Sequence, residues 1–301
     1  MRNVNLRLCI AAFCLLSSVC SQAAQIAQYR VATWNIEWLT EQPIPKSSTS
    51  ARHNDDLERL AFYAKQLDAD VVAFQEVESV ALAKRVFGDK YQIILSDRAK
   101  PQFRFNQFDD ANQYTGFAIK STISTNDPAD IKLEQDKNSR LRFATYIVLE
   151  PENKPAIHAL SIHLKAGCSG AYRQKRSCLK VLEQAKHLNA WILQQEAAGH
   201  QYLIMGDFNH NLAYAGDWLW RAMSANSQAQ LLTQTAPAKC KVRSNKKPNQ
   251  LHQFRSLIDH IVASKQLATT AQNTEQLLYT SQDVLTYKLS DHCPVRSEFQ
   301  W

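Results

Sequence analysis

No Pro-, Gly- or Ser-rich linker, internal repeat or low-complexity tract interrupts the 301 residues of this chain. That absence argues against a string of small modules and for one domain large enough to bury a substantial core. Long apolar runs are missing too. The run Leu8 to Val19 falls well short of the ~20 residues that span a bilayer, so a transmembrane anchor is not the reading. With Arg2 and Arg7 before it and Ser21-Gln22-Ala23 after it, the run reads as an export signal over residues 1–23. The mature domain is then 24–301. Lipid attachment at Cys20 is disfavoured by the bulky Val19 that precedes it. Loss of the leader removes Arg2 and Arg7 and no acid, so the formal net charge falls from +7 to +5 and the chain stays basic.

No Cys-x-x-Cys pair occurs, which removes the commonest thiolate spacing for a metal. Of the seven cysteines, Cys9, Cys14 and Cys20 leave with the signal, and Cys168, Cys178, Cys240 and Cys293 remain. An even set in an exported chain favours disulfides. Three connectivities are possible. Cys168 with Cys178 and Cys240 with Cys293 is preferred, because the first pair closes a short polar loop and leaves the second. A secreted or periplasmic location follows.

What is present is a series of strand-length apolar runs: Arg30 to Trp34, Asp70 to Phe74, Tyr91 to Leu95, Gly116 to Ile119, Phe143 to Leu149, Ile157 to His163, Tyr202 to Met205, Leu257 to Ala263 and Pro294 to Phe299. Leu57, Leu60, Ala61, Ala64 and Leu67 fall at helical spacing after Asn54 and Asp55, and so do Val181, Leu182, Ala185, Leu188 and Ile192. Several strands follow one another with no helix between, which argues for antiparallel pairing. Two packed sheets flanked by helices are expected, with long polar and aromatic loops over residues 96–140.

Six strands end in short polar clusters: Thr33-Trp-Asn-Ile-Glu37, Phe74-Gln-Glu76, Ser161-Ile-His163, Gly206-Asp-Phe-Asn209, Ile258-Asp-His260 and Leu289-Ser-Asp-His292. Each alone is an ordinary turn or cap. Together they bring carboxylates, amides and imidazoles to the points where strands leave the core. That inventory suits hydrolysis of a phosphate ester with a hard divalent ion. Oxygen donors such as Glu76 and Asn35 match Mg²⁺, with Mn²⁺ or Ca²⁺ as substitutes. A histidine would activate water or protonate the leaving oxygen, and amides would hold nonbridging oxygens.

This ordered set, over almost the whole mature chain, resembles the endonuclease/exonuclease/phosphatase superfamily, whose fold is that of deoxyribonuclease I. The further pieces "QYTGFAIK" (113–120), "HLKAGC" (163–168), Cys178 and "SDHCPV" (290–295) resemble exported bacterial nuclease-like members. The resemblance implies an α/β fold, a four-layered α-β-β-α sandwich with two mainly antiparallel sheets. It implies Glu76 as the principal metal ligand, with Asn35, Glu37 and Asp291 completing the shell. It implies His163 and His292 flanking the scissile phosphate, Asp259 orienting His292, and Asp207 with Asn209 positioning the nucleophile and a phosphate oxygen. On a strand, residues two apart share a face, so Asp207 and Asn209 can address one phosphate while Phe208 packs the other way. Asp109 and Asp110 are the candidates for a carboxylate beside His163, Arg142 for a further phosphate contact. His260 is expected to face away from the site, and His210 and Asn211 to finish a turn.

Charge placement bears on the substrate. Thr235 to Ile258 carries Lys239, Lys241, Arg243, Lys246, Lys247 and Arg255 and no acid, while Lys165, Arg173, Lys175, Arg176 and Lys180 follow His163. Basic runs beside catalytic clusters suit a groove that tracks a phosphate backbone. The first expectation is therefore an exported Mg²⁺-dependent deoxyribonuclease that acts as a monomer on nucleic acid, DNA first, with Lys165, Lys239, Lys241 and Arg243 among the substrate contacts and no stable protein partner. The alternative within the fold is a phosphodiesterase or phosphatase for a lipid or small ester. A lipid enzyme would want a long exposed apolar hairpin, and Trp218 and Trp220 are better read as helix packing. A catalytically dead binding module has no reason to keep every ligand type.

Overall fold

All nine apolar runs fold as strands, two of them, Tyr91–Leu95 and Ile157–His163, with the expected ends. The computed structural model describes residues 28–41, 52–244 and 246–300, and the expected leader over 1–23 lies outside the described residues. The first half of the chain runs β1 (Gln28–Leu39), α1 (Asn54–Leu67), β2 (Val71–Val77), α2 (Val80–Phe87), β3 (Tyr91–Leu95), β4 (Tyr114–Lys120), β5 (Ser124–Asn126) and β6 (Thr145–Glu150). The second runs β7 (Ile157–His163), α3 (Arg176–Ala197), β8 (Gln201–Asp207), α4 (Trp218–Met223), β9 (Gln230–Leu231), β10 (Lys241–Arg243) and β11 (Leu251–Gln253). It ends with β12 (Asp259–Ala263), α5 (Lys265–Ala268), β13 (Ala271–Gln276), α6 (Ser281–Thr286) and β14 (Val295–Gln300).

Among the described residues two six-stranded sheets result, in the orders β13-β14-β1-β2-β4-β3 and β5-β6-β7-β8-β12-β9, with β10 and β11 forming a separate hairpin. Each sheet has one parallel pair, β1 with β2 and β7 with β8, and its other pairings are antiparallel. The parallel pairs need crossovers, and α1 and α3 supply them. Because side chains alternate along a strand, the two faces of each sheet pack separately. Val31, Ala73, Phe117, Ile147, Leu203, Met205 and Ile261 meet between the sheets. On the outer faces, Ala32, Trp34 and Phe74 pack against Leu57, Leu60 and Leu67 of α1, and Ile162, Tyr202 and Ile204 pack against Val181, Ala185 and Leu188 of α3. Full burial of such a leucine contributes about 1.5–3 kcal/mol relative to exposure. The layers are therefore α-β-β-α, as the resemblance implied.

The elements with no sequence expectation are short or polar. Edge strand β13 reads Ala-Gln-Asn-Thr-Glu-Gln and buries none of its residues fully. Helix α2 is eight residues long and starts at Ser79, whose hydroxyl accepts from the Leu82 N–H. The long loops expected over 96–140 are held by buried Arg98, which donates to the Asn106 carbonyl (2.6 Å) and the Gln113 carbonyl (2.8 Å).

Candidate active site

Parallel pairing puts the carboxyl ends of neighbouring strands at the same edge, and here that edge collects the polar clusters. Asn35 lies opposite Gln75 across β1 and β2, and His163 lies opposite Asp207 across β7 and β8. Strand β12 starts at the same edge, with Asp259 opposite Asp207. The two sheets meet there, because the Asn35 amide donates to Asp207 Oδ2 at 3.0 Å. Gly206, just before Asp207, is required by this closeness: a Cβ would lie 2.0 Å from the Ile162 carbonyl oxygen.

β1 and β2 do not simply end in their clusters. Their mutual register shifts between Asn35 and Leu39, and that of β2 on β4 shifts between Phe74 and Val77. Within these irregularities Glu37, Trp38 and Glu76 take positive φ of 44°, 50° and 62°. Non-glycine residues adopt that region rarely, and a bulge re-aims a side chain. Glu76 is turned so that Oε2 accepts the Trp38 N–H (3.0 Å) and Oε1 faces the Asn35 amide (3.3 Å).

Asp207 is the centre of the cluster. Its Oδ2 lies 3.4 Å from His163 Nε2 and 3.9 Å from His292 Nε2, while Oδ1 accepts the Asn209 N–H at 2.7 Å. His163 Nε2 is also 3.7 Å from Glu76 Oε1. His292 Nδ1 is 2.7 Å from Asp259 Oδ2, and its Nε2 is 3.6 Å from Asp291 Oδ1. Asp259 Oδ1 is buried with no hydrogen-bond partner among the described residues.

The two histidines differ in charge for stated reasons. Burial, and then the Arg142 guanidinium, hold His163 well below the usual imidazole range, so it is neutral. Burial also disfavours charge on His292, yet Asp259 and Asp291 raise it well above that range and leave it a cation. Burial, with Asp259 adding to it, pushes Asp207 up to about 7. Burial and the charge of Asp291 push Glu37 up to about 8.

Several sequence expectations need correction. Asp109 and Asp110 do not approach His163: Asp109 is exposed opposite Arg140 at 3.8 Å, and Asp110 bonds the N–H of Ala111. They sit in a loop turned outward, and the side chain that meets His163 is Arg142. Its Nε donates to Nδ1 at 3.1 Å, and its Nη2 lies 3.0 and 2.7 Å from Nδ1 and Nε2. A guanidinium can only donate and a neutral imidazole has one acceptor nitrogen, so Arg142 hydrogen-bonds only one of the two ring nitrogens at a time. His210 does more than finish a turn. It is buried between Asp217 Oδ2 (2.7 Å) and the Cys168 carbonyl (2.9 Å). Arg243 lines a cleft with Glu37 and Asp291 rather than standing free, its Nη2 donating to the carbonyls of Leu285 (2.9 Å) and Tyr287 (3.2 Å).

His260 and Phe208 stand where the sequence places them. His260 faces away, against Thr233 and the Leu212 N–H. Phe208 is fully buried under α3. Asn209 turns its amide to the Leu164 carbonyl (3.1 Å) and Asp207 Oδ2 (3.3 Å). Asn35 likewise presents its NH₂ to the pocket, while its oxygen accepts the Glu37 N–H at 2.9 Å. Lys239 and Lys241 are exposed, and half-buried Lys165 donates to the Ala166 carbonyl. Both cysteine pairs have bridged, 168 with 178 and 240 with 293. Among the described residues no helix is long and apolar enough to cross a membrane.

Sequence reasoning missed the residues that fix the His292 loop. Arg52 donates to the carbonyls of Ile36, Trp38, Lys288 and Leu289, which ties the β1 bulge to the loop. Ser290 Oγ donates to the Asn35 carbonyl (2.6 Å), and the Tyr279 hydroxyl, itself accepting from Trp34 Nε1, donates to the His292 carbonyl (2.6 Å). Only Ser290, inside the Ser-Asp-His cluster, had a signal in the sequence.

The donor set fits a hard divalent cation. Carboxylates of Glu37, Glu76, Asp207, Asp259 and Asp291 crowd this edge, and the burial and mutual repulsion that push Glu37 and Asp207 up are what a bound cation would relieve. The oxygen donors favour Mg²⁺ or Mn²⁺. The tightest geometric group is Asp207, Asp259 and His292, whose ligand atoms lie within 4.8 Å of one another. Because Asp259 and His292 already hydrogen-bond each other, Glu76 and its neighbours are the better holders of the ion.

The family model described as Endonuclease/Exonuclease/phosphatase family matches residues 32–292. Among solved structures, the endonuclease/exonuclease/phosphatase from Bacteroides vulgatus is 14% identical with a TM-score of 0.62, covering 91% of this chain and 99% of that one. The AP endonuclease LMAP from Leishmania major is 16% identical at 0.56 (91% and 88%), and the Bacteroides thetaiotaomicron mannosyl-6-phosphatase Bt3783 is 14% identical at 0.55 (91% and 100%). At such identities the likeness carries the fold. No curated protein sequence matches the chain.

Proposed function

The chain belongs to the endonuclease/exonuclease/phosphatase family, a family of hydrolytic phosphoesterases that generally use divalent metals, and from that premise we propose that it is an exported, divalent-metal-dependent deoxyribonuclease. The observation that carries the chemistry is Asp207 Oδ2 lying between neutral His163 and cationic His292. Glu76 would hold the ion, with Glu37 and Asp291 beside it, and Asn35, whose NH₂ faces the carboxylates, would join them only with its amide turned over. When bound, the ion neutralises charge on the phosphate and on the departing oxygen.

The protein's own groups do the rest. Asp207, pushed up to about 7, is poised to take a proton from the attacking water. His292, held by Asp259, offers a proton to an oxygen of the phosphate, and neutral His163 lies across Asp207 from it. Water adds at phosphorus and one P–O ester bond breaks, giving a phosphate and an alcohol. Export is supported by the two disulfides, and DNA by the exposed lysines Lys239, Lys241, Lys246 and Lys247 on the hairpin segment beside the site.

A small phosphate ester is the second reading, favoured by a cleft of about 520 Å³ that runs from Glu37 and Asp291 to Val284, Tyr287 and Leu289. One panel separates the readings: purified mature protein with supercoiled plasmid, linear DNA, RNA, sphingomyelin and a sugar phosphate, each with Mg²⁺ and with EDTA. Cleavage of DNA that EDTA abolishes is the expected outcome. Turnover of a lipid or sugar ester with DNA left intact would sink the nuclease reading.

A further inference from the structure

We propose that Phe254 is a stacking platform for a base of the substrate strand next to the cleaved linkage, a reading that rests on the nucleic-acid function above. The β10–β11 hairpin belongs to neither sheet. Cys240 at its start is bridged to Cys293, the neighbour of His292, which fixes the hairpin against the catalytic loop. Its exit runs from Phe254 directly to Asp259. Along that path opens a small cavity of about 90 Å³, lined by Phe254, Ser256, Leu257, Asp259, His292 and Cys293. Its lining thus joins the His292–Asp259 pair to an aromatic ring.

Phe254 is 44% exposed, and Phe62, Phe105 and Phe108 are also exposed at 43% or more, but of these four it is the one that lines the cavity beside His292 and Asp259. His252 meets it edge to face, with centroids 4.8 Å apart and planes at 87°, which steadies the ring and leaves the pair at the surface. The cavity admits part of a sugar-phosphate unit at most, since pockets for whole small molecules run to ~300 Å³ and above. The base of that unit stays at the rim, where Phe254 lies. Every base offers a π face, so such stacking tolerates any sequence. Charge selects the occupant: exposed Lys241, whose strand partner is Gln253, and exposed Arg255 flank Phe254, Lys246 and Lys247 are exposed at the hairpin turn, and no acid lies between Thr235 and Ile258. A neutral apolar ligand would use the ring alone, whereas a nucleic-acid strand uses both the ring and the charges.

The test uses short single-stranded oligonucleotides with one cleavable linkage, the others blocked as phosphorothioates, and an abasic residue placed in turn at each position. KM is measured with Mg²⁺ for the wild type, Phe254→Ala and Phe254→Trp. Base removal at one position flanking the cleaved linkage should raise the wild-type KM about five- to hundred-fold. Phe254→Ala should show that rise on the intact strand and no further rise on the abasic one, and Phe254→Trp should restore the wild-type pattern. Indifference of the wild type to every base removal would overturn the platform, and so would losses that multiply in Phe254→Ala. A Phe254→Ala defect confined to binding of anionic phospholipid vesicles would replace it with a membrane contact. If the wild type cleaves no oligonucleotide, the nuclease reading falls as well; if it cleaves them all and Phe254→Ala does too with unchanged KM, only the platform falls.

Discussion

His292 shows how far a short motif can be read one residue at a time. The Ser290-Asp-His292 cluster and the Asp259 partner stand in the sequence, and the folded chain brings Nδ1 and the carboxylate to 2.7 Å. What the sequence could not show is which side chain meets His163, because Arg142 lies 21 residues away in a stretch without period. Tyr279, Trp34 and Arg52 were hidden for the same reason: they act through backbone carbonyls, which leave no pattern of residue types. Asp259 and His292 should behave as one unit. His292→Ala and Asp259→Asn should each lower kcat/KM by about 10²–10⁴, and the double variant should lose little more than the worse single. Steady-state kinetics of the three proteins on one substrate is the measurement. Losses that simply multiply would mean that Asp259 does not work through His292.

At the scale of elements, strands and the long helices were legible because periods of 2 and 3.6 leave a trace, while edge strand β13 and the hairpin strands β10 and β11 have none. Bulges were not legible either, and the β1 and β2 irregularities are what aim Glu76. A second invisible device holds the 96–140 loops. Asp130 Oδ2 accepts from Ser96 Oγ (2.6 Å) and the Asp97 N–H (2.7 Å), Oδ1 accepts from the Tyr146 N–H (3.1 Å), and Asp97 Oδ2 accepts the Asp130 N–H (3.0 Å). Burial, with the Asp97 charge adding to it, pushes Asp130 from its ordinary 3.8 up to about 7. The sign is opposite to that of a salt-bridged acid. Between those two values the folded protein holds a proton that the unfolded chain has released, so this group's contribution to stability falls as pH rises from about 4 to 7. Asp130→Asn should remove that slope, because an amide keeps an acceptor and does not titrate. Melting temperatures from pH 4.5 to 7.5 should therefore drop more steeply for the wild type. Parallel curves would show that Asp130 is charged at no cost.

The whole molecule adds what neither residues nor elements hold, a field. Fold class and the edge where the clusters gather followed from strand order and motif order together, but the direction of each basic side chain did not, and Arg243 proved to be tied to Leu285 and Tyr287. Lys239, Lys241, Lys246 and Lys247 remain exposed on the segment that the Cys240–Cys293 bridge holds beside the site. If a duplex lies along them, each phosphate they neutralise releases condensed counterions, and the logarithm of affinity then falls with the logarithm of salt by about 0.9 per contact. Changing these four lysines to glutamine should flatten that slope by up to ~3.6 if every contact is made, and by ~0.9 for each one that is. The effect should appear in KM for long DNA, most strongly at low salt, where screening is weakest. Titrating KM against NaCl from about 50 to 200 mM for both proteins reads the slope directly. A quadruple variant with the wild-type slope would mean that the strand leaves the site by another face, and would take the argument from charge to DNA with it.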